Sequence, residues 1–191
     1  MRDKLGEDWK IMGERGGLPA PGFDFGNSPL ELQAAGAPEH AIITTSNGTR
    51  AIMRAVKNCT HVIAGCARNA EAAAWDALCA GPDVGIICAG RNGEFSLEDT
   101  VCAGMLVEKL LALAPSNGAE SMELTDGAMA AMSLWQAMGP DITAVCQESA
   151  HGKILSGLGF DNDLFFCGEL DASSTVPVVK EISGIPAIVG R

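Results

Sequence analysis

Short runs of consecutive apolar residues alternate along the chain with longer segments whose apolar residues recur at helical spacing, and glycine, asparagine or proline separates them. The short runs at residues 41–44, 62–66 and 84–89 predict strands buried on both faces. Residues 9–12 read as a further short strand, and 164–167, 176–179 and 187–189 as closing strands or edges. Helical spacing predicts a helix over 49–57, and another capped by Asn69 that runs through Trp75 to Cys79 and stops at Gly81-Pro82. The longest predicted helix runs from Ser96 to about Leu113, with Leu97, Val101, Met105, Leu106, Leu110 and Leu113 as its apolar set. Residues 125–138 read as helical up to Gly139-Pro140, and 142 to about 158 as a helical region broken near His151-Gly152. Ser28-Pro29-Leu30-Glu31 carries a start signal: serine as N-cap, proline at the first position, and glutamate placed to close a capping box. Apolar strands separated by helices define an α/β chain with a largely parallel sheet covered on both faces. In such sheets ligands bind beyond the carboxyl ends of the strands, so the loops after Thr44, Cys66 and Ala89 are expected on one side.

Composition narrows this picture. The 191 residues fit a single domain, 1–191, and 47% hydrophobic against 19% charged residues is a globular balance. Thirteen basic against twenty-four acidic side chains leave a formal charge of −11, the wrong sign for a protein that tracks a nucleic-acid backbone. With six phenylalanines, three tryptophans and no tyrosine there is little for bases to stack on. No window is long and uncharged enough for a membrane span, and MRDKLGEDWKIMGER at the start is too charged for a signal peptide. The seven cysteines form no C-x-x-C pair and lie mostly in apolar segments. Buried reduced thiols in a cytoplasmic protein are therefore expected. None of the three histidines stands at ligand spacing from a second zinc ligand. The chain also has no GxxxxGK[ST], no GxGxxG after a strand, no GxSxG and no HExxH.

Four segments could carry chemistry. TTSNGTRA (44–51) turns from a strand into a helix, which leaves backbone donors and a helix dipole open to an anion, and it adds hydroxyls, an amide and Arg50. The same residues also make an ordinary strand–turn–helix link capped by Thr49. RNGEFSLED (91–99) offers Ser96 as an N-cap, with Glu98 and Asp99 in the first helical turn. Two ionised carboxylates suit Mg²⁺, while a capping box through Asp99 reads the segment equally well. Gly13-Glu14-Arg15-Gly16-Gly17 with Gly26-Asn27-Ser28-Pro29 brings a glycine-rich loop to a capped helix. His151, in SAHGK, has the chemistry of an acid, a base or a phosphate donor, and the chemistry of a structural histidine as well.

GERGGLPAPGFDFGNSP (13–29), TTSNGTRA (44–51), GCARNAEAAA (65–74), CAGRNGEFSLEDTVCAG (88–104) and SAHGKILSGLGFDNDLFFC (149–167) are collinear and span nearly the whole chain. In this order they resemble the 2-phosphosulfolactate phosphatase (ComB-like) family. The resemblance implies a three-layer α/β/α fold with a largely parallel or mixed sheet. It also implies a Mg²⁺-dependent acid phosphatase that hydrolyses 2-phospho-3-sulfolactate to 3-sulfolactate on a route towards coenzyme M. Family members begin with an additional strand carrying an Asp-x-x-Arg-type motif and then a helix, so the resemblance implies that this chain starts beyond that segment.

On this basis Thr45, Asn47, Gly48, Thr49 and Arg50 are expected to bind the phosphate. Arg15, Asn27, Ser28 and Arg91 are expected to take the rest of a small anionic phosphate ester. Glu98 or Asp99 would position or deprotonate the attacking water, and Glu14 with Asp99 would hold Mg²⁺. The partners expected are that small ester and, through an unpaired sheet edge, a second copy of the chain; neither nucleic acid nor a membrane is expected. Two other readings share these motifs: a shortened homologue that binds an anion or a partner without catalysis, and a phosphatase for another small acidic ester.

Overall fold

A computed structural model describes residues 9–119, 121–138, 141–182 and 185–191. β1 (Trp9–Arg15) and β2 (Leu18–Pro19) form a tight antiparallel hairpin in which Arg15 pairs with Leu18. Its two loop residues, Gly16 and Gly17, have φ of 64° and 85°, the left-handed backbone a two-residue hairpin requires. After α1 (Pro29–Ala35) comes β3 (His40–Thr44), which runs parallel to β1 from Trp9↔His40 to Gly13↔Thr44. The sheet order is β2-β1-β3, mixed in direction. A Cβ at Gly13 would stand 2.4 Å from the Thr44 carbonyl oxygen, so only glycine lets the strands close at this end. α2 (Gly48–Ala55) leaves directly from the end of β3.

The remaining helices are α3 (Ala70–Ala80), α4 (Leu97–Leu113), α5 (Asp126–Met138), α6 (Ile142–Glu148), α7 (Ala150–Gly157) and α8 (Asp161–Gly168), followed by the hairpin β4 (Pro177–Ile182) and β5 (Ile185–Gly190). The protein is an α/β fold. Its core gathers around α4, where Val101 and Met105 are fully buried against Ala67, Ala70, Trp135, Ile142 and Val145. Leu110 continues that stripe against Ala74 and Leu78. At Gly104 an added Cβ would meet the Ala131 carbonyl oxygen at 2.0 Å, which is how α4 and α5 come into backbone contact. Among the described residues no helix is long and apolar enough to cross a membrane.

Several expectations are corrected. Residues 164–167 are not a strand; they belong to α8, where Asp163, Leu164 and Cys167 share a face by helical spacing with the N-cap residue Phe160. Residues 84–89 form no strand pairing among the described residues, and Ile86 and Ile87 are exposed. Residues 62–66 hold one bridge, Ile63 to Val178, flanked by Val179 N–H donating to Val62 O at 2.8 Å. An apolar run becomes a strand only where a second backbone arrives to pair with it, and that is a non-local event. Asn69 does not cap α3 with its side chain. Its Oδ1 accepts from Cys66 N–H, and its Nδ2 donates to the Ala64 and Thr175 carbonyls. The break after α6 falls at Ser149, whose Oγ accepts from Gly152 N–H at 2.9 Å. The thiols are not uniformly buried: Cys59, Cys66, Cys79, Cys88 and Cys167 are exposed, and Cys102 and Cys146 half-buried. The expected stop at Gly139-Pro140 lies outside the described residues.

Candidate functional site

The carboxyl ends of the parallel strands β1 and β3 open into a cleft of about 440 Å³. Four loops reach it: the Gly16-Gly17 hairpin, the loop 26–28 ahead of α1, the turn 45–47 ahead of α2, and Arg91-Asn92. The opposite wall comes from two short helices. His151, Ile154 and Leu155 line it from α7, and Asp163, Leu164 and Cys167 from α8 together with its N-cap Phe160, spaced so that each set falls on one helix face.

Glu14, the last inward residue of β1, ties two of these loops together. Its Oε1 accepts from Ser46 Oγ at 2.6 Å and from Ser46 N–H at 3.0 Å, and its Oε2 accepts from Gly17 N–H at 3.1 Å. Burial pushes this carboxyl up, but the hydrogen bonds from Ser46 and Gly17 and the Arg15 charge outweigh it and hold it below its ordinary value. Asn47 Oδ1 accepts from Asn92 N–H at 2.9 Å, so the turn into α2 and the Arg91 loop form one surface. That loop is itself a tight turn. Arg91 and Glu94 exchange backbone hydrogen bonds around Asn92 and Gly93, whose φ values are 54° and 85°. Across the cleft, buried Asp163 accepts from Ser28 Oγ at 2.9 Å and Leu30 N–H at 3.3 Å, which fixes the start of α1.

Of the residues singled out from sequence, Glu14, Asn27, Ser28, Thr45, Asn47, Gly48 and Arg91 line this cleft together. Arg15, Thr49 and Arg50 are not on its walls. Arg15 is exposed and donates to the Glu14 carbonyl, and Arg50 is exposed on α2. Thr49 N–H donates to Thr45 Oγ1 and Thr49 Oγ1 to Thr45 O, so this pair secures the first turn of α2. Ser28 and Ser96 do cap α1 and α4. Glu98 lines a smaller neighbouring cleft of about 280 Å³, which shares Arg91, Asn92 and His151 with the first.

Asp99 lines neither cleft. Its Oδ2 accepts from Gly90 N–H at 2.7 Å, and burial, against that bond but with the Glu98 charge, holds its carboxyl above the ordinary value. Glu14 and Asp99 thus serve separate places. Glu14 already accepts three hydrogen bonds, and no group of three or more His, Cys, Asp and Glu able to hold a metal occurs among the described residues. The pair does not fit a protein-built Mg²⁺ site.

Sequence reading passed over Ser46 and Asp163. Ser46 stands inside TTSNGT, where the turn residues drew attention to its neighbours, and Asp163 immediately precedes the segment 164–167 that was misread as a strand. The three histidines also separate. His61 bonds to Asp76 at 2.5 Å and His40 stacks on Trp9 at 5.0 Å. His151 has no hydrogen bond or ion pair among the described residues and borders both clefts.

The family model described as 2-phosphosulpholactate phosphatase matches residues 1–182. A protein of Deinococcus radiodurans named "Probable 2-phosphosulfolactate phosphatase" is 37% identical over 182 residues, covering 94% of this chain and 73% of its own length. Proteins with the same name from Thermus thermophilus (38% identical, 97% of this chain, 76% of theirs) and Pseudothermotoga lettingae (36%, 94% and 75%) align equally broadly. The chain belongs to the 2-phosphosulfolactate phosphatase family.

Proposed function

We propose that this protein is a phosphomonoesterase that hydrolyses 2-phospho-3-sulfolactate to 3-sulfolactate and phosphate, a reaction on a route towards coenzyme M. The observation that carries this reading is the joined rim of the cleft. Asn92 N–H bonded to Asn47 Oδ1 sets Arg91 beside the open start of α2, so a guanidinium fork and unpaired helix donors serve one anion. Family membership supplies the ester named.

Mg²⁺ belongs to the same proposal; bound together with the substrate it would neutralise charge on the phosphoryl group, the cleft's own carboxylates not building a site for it by themselves. No role of Glu14 or Asp99 as its ligand is needed. The chain's own residues bind and orient: Arg91 and the Asn47–Gly48 end of α2 take acidic oxygens, and Ile154, Leu155 and Phe160 supply the apolar part of the facing wall. The test is release of inorganic phosphate from 2-phospho-3-sulfolactate and from a panel of other small acidic esters, with Mg²⁺ and with EDTA. The sulfolactate ester should be the preferred substrate, EDTA should abolish release and added Mg²⁺ restore it. No phosphate from any ester sinks the reading, and full activity in chelator sinks the metal.

A further inference from the structure

The hydroxyls around the cleft divide by what they are committed to. Thr45 and Thr49 serve each other at the start of α2, with Thr49 N–H to Thr45 Oγ1 at 3.1 Å. Ser28 Oγ accepts from Glu31 N–H at 3.1 Å while donating to Asp163 at 2.9 Å, and so caps α1. Ser46 differs. Its Oγ caps nothing and donates to Glu14 Oε1 at 2.6 Å, at the short end for a hydroxyl bonded to a carboxylate. Ser46 N–H and Gly17 N–H hold that carboxylate in place from either side, and both Ser46 and Glu14 face the cleft. A serine hydroxyl is a weak nucleophile until a positioned base takes its proton, and a nucleophile bonded to a base that other groups orient is the arrangement required. The thiol on the same walls does not compete. Desolvation first and then the Asp163 carboxylate push Cys167 up, so it stays a thiol.

Resting on the phosphatase reading, we infer that Ser46 is the nucleophile of the reaction and Glu14 its general base, and that hydrolysis runs through a phosphoserine. Ser46 Oγ attacks phosphorus while its proton passes to Glu14 Oε1, and the bond from phosphorus to the ester oxygen breaks. The electron pair goes to that oxygen, which takes a proton from His151 on the facing wall and leaves as the alcohol. Water then attacks the phosphoserine and returns a proton to His151. The phosphorus–oxygen bond to Ser46 breaks, and the serine oxygen recovers its proton from Glu14. One ester and one water become one alcohol and one hydrogen phosphate. Asn47 and Gly48 follow Ser46 into the open start of α2, where unpaired N–H groups favour the charge of the transferring phosphoryl.

The full chain, turning over 2-phospho-3-sulfolactate with Mg²⁺ and quenched in acid, should carry one phosphoryl group on the peptide that contains Ser46, read by mass spectrometry. A phosphorothioate analogue of the ester, made chiral at phosphorus with two oxygen isotopes and turned over in water carrying the third, should yield thiophosphate of retained configuration, because two in-line displacements each invert. Ser46→Ala should lower kcat by on the order of 10³-fold or more, with the chain still folded by circular dichroism. Inverted configuration overturns the inference and leaves the phosphatase reading standing, and it requires no variant to fold. A wild-type chain that releases phosphate from no ester overturns the reading and this inference with it.

Discussion

Arg91 is the one arginine on the walls of the described cleft. A substrate bearing phosphate, sulfonate and carboxylate has to meet it beside three carboxylates of the same walls, those of Glu14, Glu31 and Asp163. Losing a single oriented charge donor costs about 3 kcal/mol in barrier. Arg91→Ala should therefore lower kcat/KM roughly a hundredfold, and Arg50→Ala should cost less, because Arg50 points away on exposed α2. Steady-state rates of the two variants compared side by side check the ordering, and the reverse order would return the phosphate to Arg50. The motif TTSNGTRA is the same in both accounts; which of its residues turn inwards is not written in it. Thr45 and Thr49 became caps and Ser46 became Glu14's partner because β1 delivers a carboxylate to that turn from thirty-two positions away.

At the scale of elements, the helices with long regular stripes were legible, and α4 lies where its apolar period puts it. Elements whose existence depends on a partner were not. Residues 84–89 have the composition of a buried strand but no strand paired with them among the described residues, while α8 with its N-cap carried an i, i+3, i+4, i+7 pattern hidden under its short apolar run. Caps show the same division. Ser28 and Ser96 act within their own helices, whereas α3 is capped from a hundred residues away by Asp171, whose Oδ1 accepts from Glu71 N–H at 2.7 Å and whose Oδ2 meets Lys109 Nζ at 2.6 Å. Burial raises the Asp171 carboxyl, but the Lys109 and Glu71 bonds prevail and hold it below its ordinary value. A depressed carboxyl stabilises above its unfolded value and loses that contribution as pH falls through the folded one. Asp171→Asn should thus destabilise the protein at neutral pH by about 1 kcal/mol. The gap should close below about pH 4, as urea unfolding at several pH values would show. A gap that persists unchanged in acid would remove the ionised carboxylate as its cause.

Over the whole molecule, a net charge of −11 surrounds a site meant for a polyanion. Long-range repulsion slows the approach of such a ligand and is screened within about 10 Å at 0.1 M salt. Raising sodium chloride from low to physiological strength at fixed Mg²⁺ should increase kcat/KM for 2-phospho-3-sulfolactate, and a decrease would show a positive field at the cleft mouth instead. The order of motifs and the family resemblance they carry were legible in the sequence alone, and so was the α/β class, because it rests on local signals: apolar period, turn residues, caps. What only the tertiary structure decided is the company each residue keeps. It joined Asn47 to Asn92, set Ser46 on Glu14, stood the faces of α7 and α8 opposite the strand ends, and drew Asp99 aside to Gly90. Apart from the short-range Asp99–Gly90 bond, each of these is a contact between distant segments, fixed by how the strands and helices pack and by the need of every buried polar group for a partner.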